Sequence, residues 1–306
     1  DGDYDTSIAE GLVRIGGTTF RGITCDVTQG STSADRTVAA IVEAVVGEII
    51  DSGDISAADL TALDTASSAE VGFYAPDEIT GSELLDLLMT ALGGRWGFDA
   101  SGVFRVFRLA LPSGTPAYTF KRVNEDVRDT LKADEGDILE ISGGPFDGEN
   151  AGIGRAVRRV TLGYRRNFTP RSTGDIKGTT ADDRAAYAQA EHRYVTSPTD
   201  PADEEEVLAK HPNAVEMSID TLLTDIDDAQ DEADRLFAMF SERRDVLRLT
   251  VKFGADIAGT VEVGSVVALD IDRFGYAGGK LFRVLGMAYD PATLTAELLI
   301  WGGVAP

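Results

Sequence analysis

Val246-Leu247-Arg248-Leu249-Thr250-Val251-Lys252-Phe253 alternates apolar and polar side chains, and three more such stretches follow it. They are Ser265–Ile271, Lys280-Leu281-Phe282-Arg283-Val284-Leu285-Gly286-Met287-Ala288-Tyr289, and Thr293–Trp301. Alternation at a period of two places every second side chain on one face, which is the pattern of half-buried strands. Short loops carrying Gly or Pro join the last three stretches, so the C-terminal part reads as a β-meander.

Immediately upstream the period changes. Ile226, Ala229, Ala233, Leu236, Phe237 and Phe240 form one apolar stripe on a helix from about Asp225 to Arg243. Thr224 is the expected cap. Acidic residues crowd the first turns and Arg243-Arg244 follow, which suits the helix dipole. Further out, Asp203–Lys210 and Asp182–Glu191 read as short helices, residues 167–180 as a linker, and Gly143–Gly154 as a loop.

The N-terminal half alternates helices with strands. Val38, Ile41, Val42, Val45, Val46 and Ile49 predict a helix over 34–50, and Ser56 caps a short one to about Thr65. Leu84, Leu85, Leu88 and Leu92 predict another, capped by Thr80 or Ser82 and stopped by Gly93-Gly94. Arg95–Phe98 and Val103–Leu109 form a strand pair around a turn at Asp99–Gly102. Val71–Tyr74, Tyr118–Val123, Ile138–Ile141 and Ala156–Tyr164 are further strands. Leu12–Ile15, a turn at Gly16-Gly17 and Thr18–Val27 read as a hairpin. The fold class is therefore α+β.

Charge narrows the function. Lys plus Arg total 28 against 52 Asp plus Glu, a net charge of −24. Nucleic-acid binding depends on neutralising phosphates, and docking on anionic lipid does too, so neither is expected. Self-repulsion that aids solubility, a saline habitat and an acidic channel wall all remain open as reasons for the acidity. No apolar run approaches the ~20 residues of a membrane span. The chain starts Asp1-Gly2-Asp3-Tyr4-Asp5, without Met or an apolar leader, so either a segment of a longer polypeptide or the loss of earlier residues is expected.

Motifs for chemistry are missing. Cys25 is the single cysteine and reads as a buried strand thiol. His192 and His211 stand apart, with no second His or Cys at ligand spacing, so no zinc site is expected. Gly152-Ile153-Gly154 has Val157 where a dinucleotide fingerprint needs its third glycine, and it leads into a strand. Asp1, Asp3 and Asp5 begin a calcium-loop pattern that fails at Thr6 and Leu12, leaving a frayed acidic terminus. Asp225, Asp227, Asp228 and Asp231 suit a helix start better than an ion. Trp96 and Phe98 read as alternate residues of a half-buried strand. The expectation is no catalytic residue, no cofactor and no metal.

Three stretches together carry a resemblance. They are Leu84–Leu109 with Gly93-Gly94-Arg95-Trp96-Gly97-Phe98-Asp99; Arg158-Arg159-Val160-Thr161-Leu162-Gly163-Tyr164-Arg165-Arg166-Asn167-Phe168; and the helix from Ala229 through Val263-Gly264-Ser265, Phe274-Gly275, Gly279–Gly286 and Leu298-Leu299-Ile300-Trp301-Gly302. In this order, over about residues 30–302, the chain resembles hub and tail-tip proteins of long-tailed bacteriophages and prophages.

The resemblance implies β-rich, tube-like (barrel or meander) domains with an intervening α+β helical portion. The implied division is 1–30, a hairpin ending a preceding domain; 31–110, the α+β portion; 111–180, a β-rich portion with linker; 181–245, a helical connector; and 246–306, the C-terminal tube-like meander. It further implies a structural, non-enzymatic virion subunit, a homotrimer around the tail axis. Its partners would be distal tail and tube proteins, the tape-measure protein, and fibre or spike proteins. Two alternatives stand beside it. One is a receptor- or carbohydrate-binding module using Trp96, Tyr276 and Trp301, an idea that fails where these are buried. The other is a tail-associated cell-wall hydrolase.

Overall fold

The computed structural model describes residues 4–7, 12–15, 30–75, 78–99, 101–121, 137–142, 154–172, 190–252, 254, 257, 259–272 and 275–304. By contacts the chain divides into two units, one of residues 1–29 with 167–191 and one of 30–166 with 192–306. In the first, β1 (Tyr4–Ser7) pairs antiparallel with β2 (Leu12–Ile15), Tyr4 opposite Ile15. The partner observed for Leu12–Ile15 is thus the strand before it. Asp5 lies in β1, so the expected frayed terminus is a strand at that position. The turn at Gly16-Gly17, the run Thr18–Val27, Cys25 and residues 182–189 of the helix expected over Asp182–Glu191 fall outside the described residues.

The larger unit is α+β. Its helices are α1 (Val38–Gly47), α2 (Ala57–Ala66), α3 (Gly81–Ala91), α4 (Pro201–Lys210) and α5 (Ile226–Phe240). Its strands are β3 (Gly94–Phe98), β4 (Phe104–Arg108), β5 (Tyr118–Lys121), β6 (Ile138–Ser142), β7 (Val157–Tyr164), β8 (Arg193–Ser197), β9 (Val215–Asp220), β10 (Asp245–Lys252), β11 (Val266–Asp270), β12 (Lys280–Asp290) and β13 (Thr295–Val304).

Six strands build the main sheet in the order β5-β11-β12-β13-β10-β6. The predicted meander β11-β12-β13 is its centre. The sheet reaches beyond the expected span 246–306, because β5 and β6 come from residues 118–142. β5 runs parallel to β11 and every other pairing is antiparallel. Register shifts at Leu281/Phe282 and Val284/Gly286 let the long β12–β13 hairpin bend. The two edge strands meet at one end, where the Asp137 amide donates to Lys121 O at 3.0 Å and the Lys252 amide donates to Asp137 O at 2.7 Å. The curled sheet is filled, not hollow. Phe120, Ile138, Leu249, Val251, Val267, Leu269, Phe282, Val284, Leu298 and Ile300 pack together inside it, each 5% exposed or less. Burial of that apolar surface is what holds the sheet curled.

Between β6 and β10 the chain makes a second sheet, β8-β7-β9, with β7 central, antiparallel to β8 and parallel to β9. α5 packs on β7 and β8, and α4 on β7. The third part is α1 with α2 and α3, the latter two packed on the β3–β4 hairpin. Sequence and structure agree closely at α3. Thr80 accepts from the Glu83 amide at 3.3 Å while Glu83 accepts from the Thr80 amide at 3.0 Å, a capping box. Gly93, at φ +57°, ends the helix. Val71–Tyr74, expected as a strand, makes only an isolated bridge from Val71 to Leu223. α5 is capped by Asp225, whose side chain accepts from the Asp227 amide at 2.8 Å, in place of Thr224.

Candidate functional site

Two surfaces of the larger unit stand out, the open edges of the main sheet and a cleft beside Trp96. A charged junction holds the helical parts to the sheet.

The junction is made of arginines that bond backbone as well as carboxylates. Glu232 is 2% exposed on α5. It accepts from Arg108 on β4 and from Arg235 Nε and Nη2 at 2.8 and 2.7 Å. Arg235 also donates to Leu109 O at 2.7 Å and to Leu92 O at 3.3 Å. Arg105 on β4 reaches Asp59 on α2 at 2.5 Å and Glu262, just before β11, at 2.7 Å. On β12, Arg283 donates to Ala110 O at 3.0 Å and Gly264 O at 2.7 Å, and burial lowers its pKa. Phe240 at the end of α5 rests on Trp301 of β13, ring centroids 5.6 Å apart.

Among the described residues, two stretches of the main sheet have a strand on one side alone. No described strand pairs with the outer side of β6, where Leu139 is 49% exposed. On the other flank β11 pairs with β12 only as far as Arg283, so Gly286–Asp290 of β12 have a strand on one side alone among the described residues. That segment carries Tyr289, 45% exposed, and leads into a turn where Leu294 is 57% exposed. Asp290 ties the turn, accepting from Thr293 Oγ1 at 2.7 Å and the Ala292 amide at 2.9 Å, bonds that lower its pKa in that order of weight.

The residues singled out in the sequence are scattered. Trp301 is fully buried and Tyr276 is 4% exposed, its hydroxyl donating to Asp245. Burial and that carboxylate raise the Tyr276 pKa. Neither ring can stack on a ligand, which removes two of the three aromatic candidates. Trp96 is half-buried and Phe98 exposed, and both touch Phe104, as alternate residues of a half-buried strand do. His192 is buried, with Nδ1 4.0 Å from Asp220 Oδ1. His211 ends α4. Asp228 has a raised pKa from burial and from the neighbouring carboxylates Asp225 and Asp231. Asp1, Asp3, Gly152 and Ile153 lie outside the described residues. Among the described residues no cluster of His, Cys, Asp and Glu could hold a metal ion, and no helix is long and apolar enough to cross a membrane.

Sequence reasoning missed Glu232, because an acid in the first turns of an acidic helix reads as a dipole partner. Its spacing from Ala229 and Ala233 on the buried stripe was the available signal.

No family model matches the chain, and no curated protein matches it. It is similar to solved structures of phage tail and virion proteins. A tail protein from Neisseria meningitidis MC58 is 13% identical, with 87% of this chain and 66% of that one covered and a TM-score of 0.47. A chain of the virion of a native gene transfer agent particle is 19% identical, with 88% and 48% covered and a TM-score of 0.49. The 43 kDa tail protein of prophage MuSo2 from Shewanella oneidensis is 12% identical, with 87% and 66% covered and a TM-score of 0.43. The chain spans about half to two thirds of the length of these proteins. A likeness of this degree assigns no role.

Proposed function

We propose that the chain is a structural subunit of a bacteriophage tail and, within the tail, part of the hub or tip. There copies would form a ring around the axis, joining the tube to fibre, spike or receptor-binding parts. The observation that carries this reading is the main sheet, filled inside and, among the described residues, unpaired along the outer side of β6 and along Gly286–Asp290 of β12. A filled sheet offers no lumen of its own, so any channel has to lie between copies. Open edges with exposed Leu139 on one flank and Tyr289 on the other are templates for further strands. Two different surfaces meeting head to tail close into a ring when the rotation permits. The acidity supports the same reading, since a wall carrying negative charge holds passing DNA weakly. The resemblance across residues 30–302 implies a ring of three copies.

The test is solution mass by light scattering. Three copies of the 32.5 kDa chain are expected at high concentration. A chain that stays monomeric at every concentration and salt would remove the ring.

A further inference from the structure

A cleft of about 320 Å³ opens between α3 and β3, lined by Asp86, Met89, Thr90, Gly94, Arg95 and Trp96. Its indole is fixed in advance. Trp96 Nε1 donates to Asp86 Oδ1 at 2.7 Å, and the ring stacks on Phe104 with centroids 5.9 Å apart and planes at 30°. A group already held in place loses little freedom when a ligand arrives. Met89 and Gly94 are buried and form the apolar floor, while Asp86, Thr90 and Arg95 are exposed at the rim.

The rim chemistry is unusual in carrying both signs without pairing them. Arg95 bonds only Gly94 O, at 3.3 Å, and Asp86 bonds the indole, so among the described residues neither has an oppositely charged partner. A carboxylate only accepts hydrogen bonds and a guanidinium only donates them. A simple anion would satisfy Arg95 and be repelled by Asp86 and by a chain of charge −24. A purely aromatic ligand would cover the indole and leave both charges unmet. Adjacent hydroxyls on a saturated ring donate to one side and accept from the other, and the ring's C–H face suits an indole. The volume is at the low end of the roughly 300–1,000 Å³ of ligand sites, room for one ring rather than a long chain.

We propose that this cleft binds a neutral hexose unit, its C–H face against Trp96 and neighbouring hydroxyls bridging Asp86 and Arg95. The proposal goes beyond the structural role and is independent of ring formation.

The chain has two tryptophans and Trp301 is fully buried, so acrylamide quenching of fluorescence reports Trp96. Glucose, galactose and N-acetylglucosamine are titrated separately into the wild-type chain. At least one is expected to shield Trp96 in a saturable manner, with a Kd of roughly millimolar order. D86N keeps an oxygen for the indole but loses the charge, and R95Q alters an exposed side chain that does not hold the fold. Each is expected to weaken shielding about tenfold, with unchanged circular dichroism. Saturable shielding by none of the three sugars, or shielding that R95Q leaves intact, would overturn the proposal.

Discussion

Glu232 on α5 and Arg108 on β4 are hydrogen-bonded although 124 positions separate them in the chain. The carboxylate is buried, and Arg235 completes its shell. Both arginines bond Leu92 O at 3.3 Å, and Arg108 also bonds Ala66 O. One cluster therefore holds the ends of α2 and α3, the β3–β4 hairpin and α5. Without Arg108, Glu232 keeps Arg235 as its ion-pair partner, so what is lost is a charge-assisted hydrogen bond, about 1.5–3 kcal/mol. R108A is expected to destabilise the chain by that order in urea denaturation. A loss below about 1 kcal/mol would mean that the cluster is solvated and does not join these elements.

Trp301 gives a paired test of the interface between α5 and the sheet. It is fully buried against Phe240, and its Nε1 has no hydrogen-bond partner among the described residues. W301A opens a large cavity and is expected to cost about 3–5 kcal/mol. W301F also removes volume, but it deletes a buried unsatisfied donor whose burial costs about 1–3 kcal/mol. The two effects oppose each other, so W301F should fall well short of W301A in a thermal or chemical melt. Equal losses would show that the indole N–H is satisfied in solution.

Local and non-local order differ in how much of this could be read in advance. α3 was readable in detail because Thr80, Glu83, the leucine stripe and Gly93 all lie within one short stretch. The meander was readable because its turns join neighbours. The membership of β5 and β6 was not, since β5 runs parallel to β11 across some 150 positions and no local signal marks such a pair. β9 was missed although Val215, Met217 and Ile219 alternate with exposed residues, a pattern six residues long and easily lost between helices. Of the candidate aromatics, only burial separates Trp96 from Tyr276 and Trp301, and burial is set by the packing of distant elements.

Gly302 ties the end of β13 to β12. It sits at φ +147°, and a Cβ there would meet Leu281 O at 2.7 Å and Phe282 Cα at 3.1 Å. Both obstacles are backbone, so they can yield only by moving the strand. G302A is expected to cost on the order of 1–3 kcal/mol, the range for a residue forced into a sparsely populated conformation. A melt unchanged from wild type would show that the register shift at Leu281/Phe282 relaxes freely.

Acid should act through Asp99. Its carboxylate accepts from the Ser101 hydroxyl and the Val103 and Ser101 amides, with Arg105 beside it, and the first of these is the largest cause of its lowered pKa. A folded-state pKa below the unfolded value gives stability that is present above the unfolded value, 3.8. That stability is lost as pH falls through the folded pKa. D99N is therefore expected to be less stable than wild type at neutral pH and to converge with it below about pH 4 in urea melts. A constant difference between the two down to pH 2 would mean that the charge on Asp99 is not what stabilises the turn.

Salt and the β6 edge separate assembly from folding. Each copy carries a net charge of −24, so bringing copies together at low ionic strength works against repulsion. The screening length falls from about 10 Å at 0.1 M to about 3 Å at 1 M salt, which removes most of that opposition between exposed charges. If the edges of the main sheet pair between copies, mass by light scattering should rise with salt. L139K places a charge on the exposed β6 edge, a substitution that natural sheets use to prevent pairing. It should hold the chain monomeric at high salt without lowering its melting temperature, because Leu139 is 49% exposed and contributes little to the core. If L139K assembles as wild type does, β6 is not the contacting edge. If mass is also indifferent to salt, repulsion between acidic copies does not govern assembly.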